Sequence, residues 1–249
     1  MRSTQTCSGL FLALLLAGPL GAAPDGEQVV RTDFGISSKQ VFRGLERAGT
    51  SAQALIEDSR ENFRAGLWLN QSLADSQSRE ADLNVAWAWS GSDSLKLEAT
   101  LRGYWLGGSE SQSLRHSMEG GLQASLAPVN GITPSVVFYH DFRQNAETVQ
   151  FSLARSFALT GFGAFLDTEV YVGGRTGRDW RPDEPGPGRR DSFCYWGAEA
   201  HLPYRIGPRT TVVAGLFYAD AAGWSATNGP VCLSSGRNLW VSLSVSLDF

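Results

Sequence analysis

The chain has 249 residues, about the size of one large all-β domain, so its length does not require a second domain. Hydrophobic residues make up 42% and charged residues only 18%, with 28 glycines and 8 tryptophans, a balance that excludes a disordered or coiled-coil chain. The formal net charge of −4 provides no broad positive field, which excludes nucleic acid as an expected partner.

The N-terminal segment is typical of a secretory signal peptide. Arg2 precedes the apolar run 10–17, and the small residues 21–23 follow it. The run is shorter than the roughly 20 residues that a helix needs to cross a bilayer, which disfavours the alternative of an uncleaved anchor. We therefore predict that residues 1–23 are removed and that residues 24–249 form one exported domain.

Alternation of apolar and polar residues dominates the chain after this segment. In 79–89, 94–105 and 115–126 the apolar side chains fall on one face of a strand and the polar side chains on the other. The turn-forming residues 90–93 separate the first two of these runs. A period of two that continues over about ten residues is typical of a strand in an outer-membrane barrel.

The whole pattern predicts an all-β fold, a transmembrane antiparallel up-and-down β-barrel of about twelve strands. An even number of strands places both termini on the periplasmic side. The predicted strands lie at 29–37, 52–58, 62–72, 79–89, 94–105, 115–126, 132–142, 146–157, 164–173, 192–202, 210–219 and 238–249.

Link lengths and aromatic positions agree with this topology. If the first strand runs outward, the periplasmic links are short and the external links 38–51, 106–114, 174–191 and 220–237 are longer, with 143–145 as a short exception. Aromatic residues of the apolar faces fall at strand ends, as in membrane girdles, whereas the alternative of a soluble sandwich concentrates them in mid-strand. They are Phe63, Trp87, Trp89, Phe157 and Phe249 at the periplasmic ends, and Trp105, Phe142, Trp196 and Tyr218 at the external ends.

The last strand shows the strictest alternation. Its apolar face consists of Leu239, Val241, Leu243, Val245, Leu247 and Phe249. The terminal Phe249 also resembles the signal that the barrel assembly machinery recognises. This resemblance implies that Phe249 is a C-terminal assembly signal and that the machinery is a partner during biogenesis.

Two cysteines remain after the predicted signal peptide. They are Cys194, at the start of the tenth strand, and Cys232, in the last external loop. Exported proteins meet an oxidising compartment, so we predict a disulfide that clasps these two external segments, with two reduced thiols as the alternative.

Two phrases in the first third of the exported chain resemble a known family. Residues 34–45, Phe-Gly-Ile-Ser-Ser-Lys-Gln-Val-Phe-Arg-Gly-Leu, resemble the opening of the porin-like TorF family, whose members carry a similar Val-Phe-Arg-Gly phrase. Gly66-Leu67-Trp68-Leu69-Asn70 is similar to the next phrase of that family, at a similar spacing. The usual Asp-Tyr before the first phrase is Lys39-Gln40 here. The resemblance implies an outer-membrane barrel and no catalytic residues.

Charged residues on the polar faces are predicted to line the barrel interior. They are Arg64, Glu80, Asp82, Lys96, Glu98, Arg102, Glu119, Asp141, Arg143, Asp167, Glu169 and Glu199, with Arg31, Asp33 and Arg175 on the same faces. In a water-filled lumen this excess of acids over bases favours cations, whereas neutralising pairs in a narrow barrel are the alternative. The loop 174–191 is interpreted as solvated, with an inward constriction or a lipopolysaccharide contact as alternatives.

These patterns lead us to expect a passive, cofactor-free outer-membrane channel for small solutes or ions, with outer-membrane lipids around its wall. A non-conducting structural or surface-interaction barrel is the alternative, and a membrane-embedded lipid-modifying enzyme comes third. No catalytic site is predicted, because His116, His140 and His201 lie in separate strands and His140 and Asp141 point to opposite faces. The sequence also shows no metal-ligand spacing and no phosphate-binding glycine loop.

Overall fold

The computed structural model describes residues 28–43, 45–74, 79–107, 116–178, 190–225, 229–231 and 237–249. The predicted signal peptide, residues 1–23, lies outside them. Within these ranges the regular structure consists of fifteen β-strands, and no helix there is long and apolar enough to cross a membrane.

Twelve long strands form the wall of a barrel. They are β1 (Gln28–Ser37), β4 (Ser51–Arg60), β5 (Phe63–Ser72), β6 (Arg79–Ser92), β7 (Leu95–Gly107), β8 (His116–Leu126), β9 (Ile132–Asp141), β10 (Ala146–Leu159), β11 (Ala164–Arg178), β12 (Arg190–Gly207), β13 (Thr210–Ser225) and β15 (Asn238–Asp248). The three short strands β2 (Gln40–Phe42), β3 (Leu45–Ala48) and β14 (Gly229–Val231) lie in links between wall strands.

The wall closes on itself through antiparallel pairs. Neighbours in sequence pair from β4 to β13, β13 pairs with β15, and β1 pairs with both β15 and β4. The backbone of Phe249 extends the closure, since its N–H donates to the carbonyl of Val30 at 2.8 Å. Closure satisfies backbone groups that an open edge would expose. The predicted twelve-stranded up-and-down barrel is confirmed.

Side chains alternate between an apolar outer face and a mixed inner face. On β15, Leu239, Val241 and Leu243 are exposed on the outside, whereas Asn238 and Trp240 are buried inside. Large apolar side chains cover the outside of the other wall strands as well. A wall with this composition is suited to contact with lipid, because the same area in water would be unfavourable.

Aromatic side chains collect at both ends of the outer wall. We name the end that carries Gln28 and Phe249 the periplasmic end and the opposite end the external end. The predicted periplasmic girdle residues are exposed there, and Tyr204 extends that girdle. At the external end Trp105, Phe142 and Trp196 are exposed, while Tyr218 is half-buried.

Tight turns join the strands at the periplasmic end. Glu61 turns β4 into β5 with a φ of 48°, and Asn130 and Gly131, with φ values of 54° and 77°, join β8 to β9. Asn and Gly tolerate this left-handed region better than other residues, which accounts for their place in these short links.

The first external link differs from the prediction of an external loop over 38–51. β2 and β3 form a two-stranded hairpin of their own, which folds into the external half of the barrel. Val41, Phe42 and Arg43 are buried, and the hairpin contacts wall strands in several sectors of the ring. We refer to residues 40–48 as the inner hairpin.

Other external links are shorter than predicted because the strands continue. β11 runs to Arg178 and β12 begins at Arg190, so 174–178 and 190–191 of the predicted loop 174–191 are strand, and 179–189 lies outside the described residues. β13 likewise continues to Ser225 and pairs with β14.

Candidate functional site in the barrel interior

Gln40 ties the inner hairpin to one sector of the wall. Its Nε2 donates to Oε2 of Glu80 at 2.8 Å, and Nδ2 of Asn70 donates to its Oε1 at 2.7 Å. Both wall partners lie on the inner faces of neighbouring strands, β6 and β5. Because the amide is used as donor and as acceptor, its orientation against the wall is defined.

Val41 provides an apolar contact to another sector. It packs with Phe217 and Ala219 of β13 and with Trp240 of β15 in a buried cluster. The rings of Phe217 and Trp240 are stacked, with centroids 5.1 Å apart and planes 9° apart. Burial of a valine side chain stabilises by about 1.5 to 3 kcal/mol, so this contact supports the inward position of the hairpin.

Arg43, which follows β2, is held by a carboxylate and two aromatic rings. Its Nη2 donates to Oε1 of Glu119 at 2.8 Å, and the two side chains are 1% and 2% exposed. Its Cζ lies 4.3 Å from the ring centre of Phe42 and 5.4 Å from that of Tyr139, distances suited to cation–π interaction. Burial lowers the pKa of Arg43, but the charge and the hydrogen bond of Glu119, together with Tyr195 and Tyr104, outweigh burial and raise this pKa above its ordinary value. Arg43 therefore stays charged.

The hold on Arg43 also carries local costs. Its φ of 49° lies in the left-handed region, which costs a residue other than glycine on the order of 1 to 3 kcal/mol. Its Nε and Nη1 are buried without a hydrogen-bond partner among the described residues. A buried donor without an acceptor loses the stabilisation that water would provide. The contacts to Glu119 and to the two rings therefore offset the cost of the left-handed backbone and the cost of the unpaired buried donors.

The wall around this pair is a network of buried polar side chains. Asp141 accepts hydrogen bonds from the hydroxyls of Tyr104 at 2.6 Å and Ser117 at 2.7 Å. Arg175 links the two carboxylates, with Nη2 3.6 Å from Oδ2 of Asp141 and Nη1 3.8 Å from Oε1 of Glu119. We refer to the inner hairpin and this network as the constriction.

The periplasmic half of the interior is more open to solvent. The Arg31–Asp248 and Arg64–Glu98 ion pairs, at 2.8 Å and 2.7 Å, have side chains 29% and 40% and 14% and 16% exposed. We refer to this space as the vestibule. Its charged side chains are Arg31, Asp33, Glu57, Arg64, Lys96, Glu98, Asp167, Glu169, Glu199 and Asp248, seven acids and three bases. His201 lies here too, 3.4 Å from Glu199.

No protein-family model and no curated protein matches the chain, and the TorF resemblance is not confirmed. Among solved structures it is similar to the KdgM porin, with 8% identity, a TM-score of 0.55, and coverage of 89% of this chain and 99% of that chain. The NanC porin has 10% identity, a TM-score of 0.52, and coverage of 88% and 98%. The fold is that of an outer-membrane porin. Identities this low show the fold alone.

Eleven of the twelve charged residues predicted for the interior lie on the inner face of this barrel. They are Arg64, Glu80, Asp82, Lys96, Glu98, Arg102, Glu119, Asp141, Asp167, Glu169 and Glu199. The prediction for Arg143 is wrong, since Arg143 is exposed in the turn after β9 and its Nη1 donates to the carbonyl of His116 at 2.9 Å. β9 ends at Asp141, so alternation no longer directs the side chain at 143.

The sequence predictions missed the hairpin residues Gln40 and Arg43, the ring of Tyr139 and the vestibule acid Glu57. A signal for the hairpin was available in the phrase Val41-Phe42-Arg43-Gly44, because a loop in water gains nothing from two large apolar residues beside a cation. Glu57 follows the inner-face alternation of β4, in which Leu55 also points inward and weakens the pattern.

The remaining predicted positions lie apart from the constriction. Cys194 is exposed on β12 and has no disulfide partner among the described residues, while its predicted partner Cys232 lies outside them, so the disulfide stays a prediction. Phe249 is exposed at the periplasmic end. His116, His140 and His201 lie on three different strands, and the described part of the chain holds no group of three His, Cys, Asp or Glu side chains suited to a metal ion.

Proposed function

We propose that this protein is an outer-membrane channel for the passive passage of small polar solutes or ions, with the inner hairpin narrowing its external half. The observation that carries the proposal is the set of charged and polar side chains that the inner face carries along its length, among buried apolar and aromatic residues, inside a wall that is apolar on its outer face. Charged side chains along the interior are suited to water and polar solutes.

The size of the ring supports a lumen. Eight-stranded barrels are filled by their own side chains, whereas barrels of about 16 strands enclose an aqueous channel. A ring of twelve strands lies between these limits, and here the external half receives an additional segment of chain while the vestibule does not.

The charge of the vestibule supports cations or uncharged polar molecules as solutes. Oligogalacturonate, the acidic sugar oligomer in one KdgM porin structure, is not proposed here. Seven acids against three bases in the vestibule would oppose the entry of such an anion.

A non-conducting envelope barrel is the second candidate, and the packing of the constriction favours it. Solvent does not reach the Arg43–Glu119 pair, whose side chains are 1% and 2% exposed. In this alternative the inner hairpin is a permanent filling, and the network around it stiffens the barrel.

Assembly in the outer membrane belongs to the same proposal. Phe249 is exposed on the outer face at the periplasmic end, where the barrel assembly machinery would engage it before insertion into outer-membrane lipids. An N-terminal signal peptide would direct export.

Conductance in planar bilayers separates the two candidates. A variant with residues 40–48 replaced by a short Gly-Ser link, the open variant, is expected to show current steps several times larger than the unmodified protein, because the hairpin fills the external half. Arg43→Ala is expected to raise the open probability, while Arg143→Ala, which removes the same side chain from an outer turn, leaves it unchanged. Heat-modifiable gel mobility verifies folding. Folded unmodified protein without current would contradict the channel and favour the non-conducting barrel, whether or not the open variant conducts.

A further inference from the structure

We infer that the pocket formed by Glu119 and Tyr139 is a binding site for organic cations that carry a guanidinium group, and that Arg43 occupies it as a tethered ligand. The inference rests on the proposed channel function only for the passage of such solutes. The site itself is argued from contacts in the constriction.

The pocket belongs to the wall and does not depend on the hairpin for its shape. Glu119 and Tyr139 lie on the inner faces of the paired strands β8 and β9. The ring of Tyr139 lies against Gly121, where an added Cβ would come within 2.5 Å of ring atoms. Glycine at this position therefore seats the ring against β8 and keeps its face available to a cation.

The occupant observed in the pocket is a guanidinium. Glu119 accepts one of its N–H groups at 2.8 Å, and the Tyr139 ring lies 5.4 Å from its central carbon. A planar cation that combines a hydrogen bond to a carboxylate with contact to an aromatic face is the pattern that distinguishes guanidinium from ammonium ions.

The tether does not let Arg43 use the pocket fully. Two of its nitrogen positions, Nε and Nη1, have no hydrogen-bond partner within the described part of the chain, and its backbone is in the left-handed region. A free guanidinium orients without these restraints. In the unmodified protein it competes against the high effective concentration of the tethered side chain, so we expect binding at millimolar concentration only where Arg43 has been removed.

The hairpin is attached in a way that permits exchange. β2 and β3 pair with each other in a sheet separate from the wall. The contacts that hold them inside include those of three side chains, namely the Gln40 amide, the Val41 cluster and Arg43 itself. None of these requires breaking the barrel sheet.

Charge along the route favours a cation once Arg43 has left. The wall of the constriction then carries four acids, Glu80, Asp82, Glu119 and Asp141, against two bases, Arg102 and Arg175. The vestibule beyond it also has more acids than bases. Entry of positive solutes into the pocket is therefore favoured from the vestibule.

Chemical rescue of Arg43→Ala in the full chain tests the site without relying on current. Added methylguanidinium chloride is expected to raise the thermal unfolding midpoint of this variant at millimolar concentration, while sodium chloride at the same ionic strength does not. The unmodified protein, whose pocket is filled, is expected to show no rise. Arg43→Ala combined with Glu119→Gln is expected to bind methylguanidinium at least about tenfold more weakly, because the charged acceptor is lost.

The site would be overturned by a rise that sodium chloride reproduces, by an equal rise in the unmodified protein, or by rescue that is insensitive to Glu119→Gln. Arg43→Gln serves in the same titration if Arg43→Ala does not fold. A second experiment measures the current through the open variant, and methylguanidinium is expected to block this current. Rescue in the absence of any current would overturn the channel and leave the site, whereas current without rescue or block would overturn the site alone.

Discussion

At the scale of single residues, Asp141 illustrates how one buried carboxylate joins a turn to the constriction. Its Oδ1 accepts hydrogen bonds from the backbone N–H groups of Arg143 at 3.0 Å and Gln144 at 2.8 Å, in the short link to β10. The same oxygen accepts from Ser117, and Oδ2 accepts from Tyr104. This explains why the external link at 143–145 is short although external links are generally longer.

Asp141→Ala is expected to lower the free energy of unfolding by about 3 to 5 kcal/mol, because several buried donors lose their acceptor and Arg175 loses a counter-charge. Chemical denaturation of protein folded into lipid vesicles measures this change. Asp58→Ala is the control, since the Asp58–Arg60 pair is 3.5 Å long with side chains 43% and 61% exposed. Its effect should stay within about 1 kcal/mol, and equal losses in the two variants would contradict the role of Asp141.

At the scale of elements, β15 and the inner hairpin differ in their pattern of buried and exposed residues. β15 alternates strictly because each side of a wall strand meets a different environment. β2 is buried at all three positions, Gln40, Val41 and Phe42, because protein surrounds it inside the barrel. Short segments enclosed on both faces lose the period of two, so alternation does not detect them.

A matched pair of lysine substitutions tests the two faces of β15. Leu243→Lys, in the middle of the outer face, is expected to lower the free energy of unfolding in vesicles by about 2 to 4 kcal/mol, because it places an ammonium group in lipid. Ser244→Lys, on the inner face opposite Gly35, is expected to cost much less, since its charge meets the acidic vestibule. A larger loss for Ser244→Lys would mean that the two faces are assigned the wrong way round.

At the scale of the whole molecule, charge is divided between the two halves of the interior. Acids and bases are interleaved in the constriction, where Arg43 and Arg175 compensate Glu119 and Asp141. Acids dominate the vestibule. A solute crossing the barrel would therefore meet a broad negative field first or last, and specific contacts only at the constriction.

Reversal potentials of the open variant in a potassium chloride gradient are expected to show selectivity for cations. Glu199→Lys in this variant should move the reversal potential toward that of chloride, because it removes a vestibule carboxylate and adds a positive charge there. Glu147→Lys is the control with the same change of charge on the outer face near the external end. Equal shifts for both would show that the interior charges do not act on the ion path.

The sequence by itself was sufficient for the barrel and for most of its inner face. Alternation predicted twelve strands and placed residues such as Glu119 and Glu98 inside, because the period of two is a local property that each strand shows without its partners. It misplaced Arg143, which lies exposed in the turn after β9, where Asp141 accepts its backbone N–H.

The tertiary structure decided what fills the lumen. Arg43 and Glu119 are 76 positions apart, and Gln40 and Glu80 are 40 apart, so no local pattern connects them. A loop on the external rim can extend into water or fold inward. Which of the two occurs depends on whether strands that are distant in sequence place side chains inside the barrel that can bind the side chains of the loop. The sequence by itself therefore determined the wall, because apolar and polar residues alternate along each strand. The inward position of the hairpin, its tethered guanidinium and the division into constriction and vestibule were decided only when the ring of strands closed.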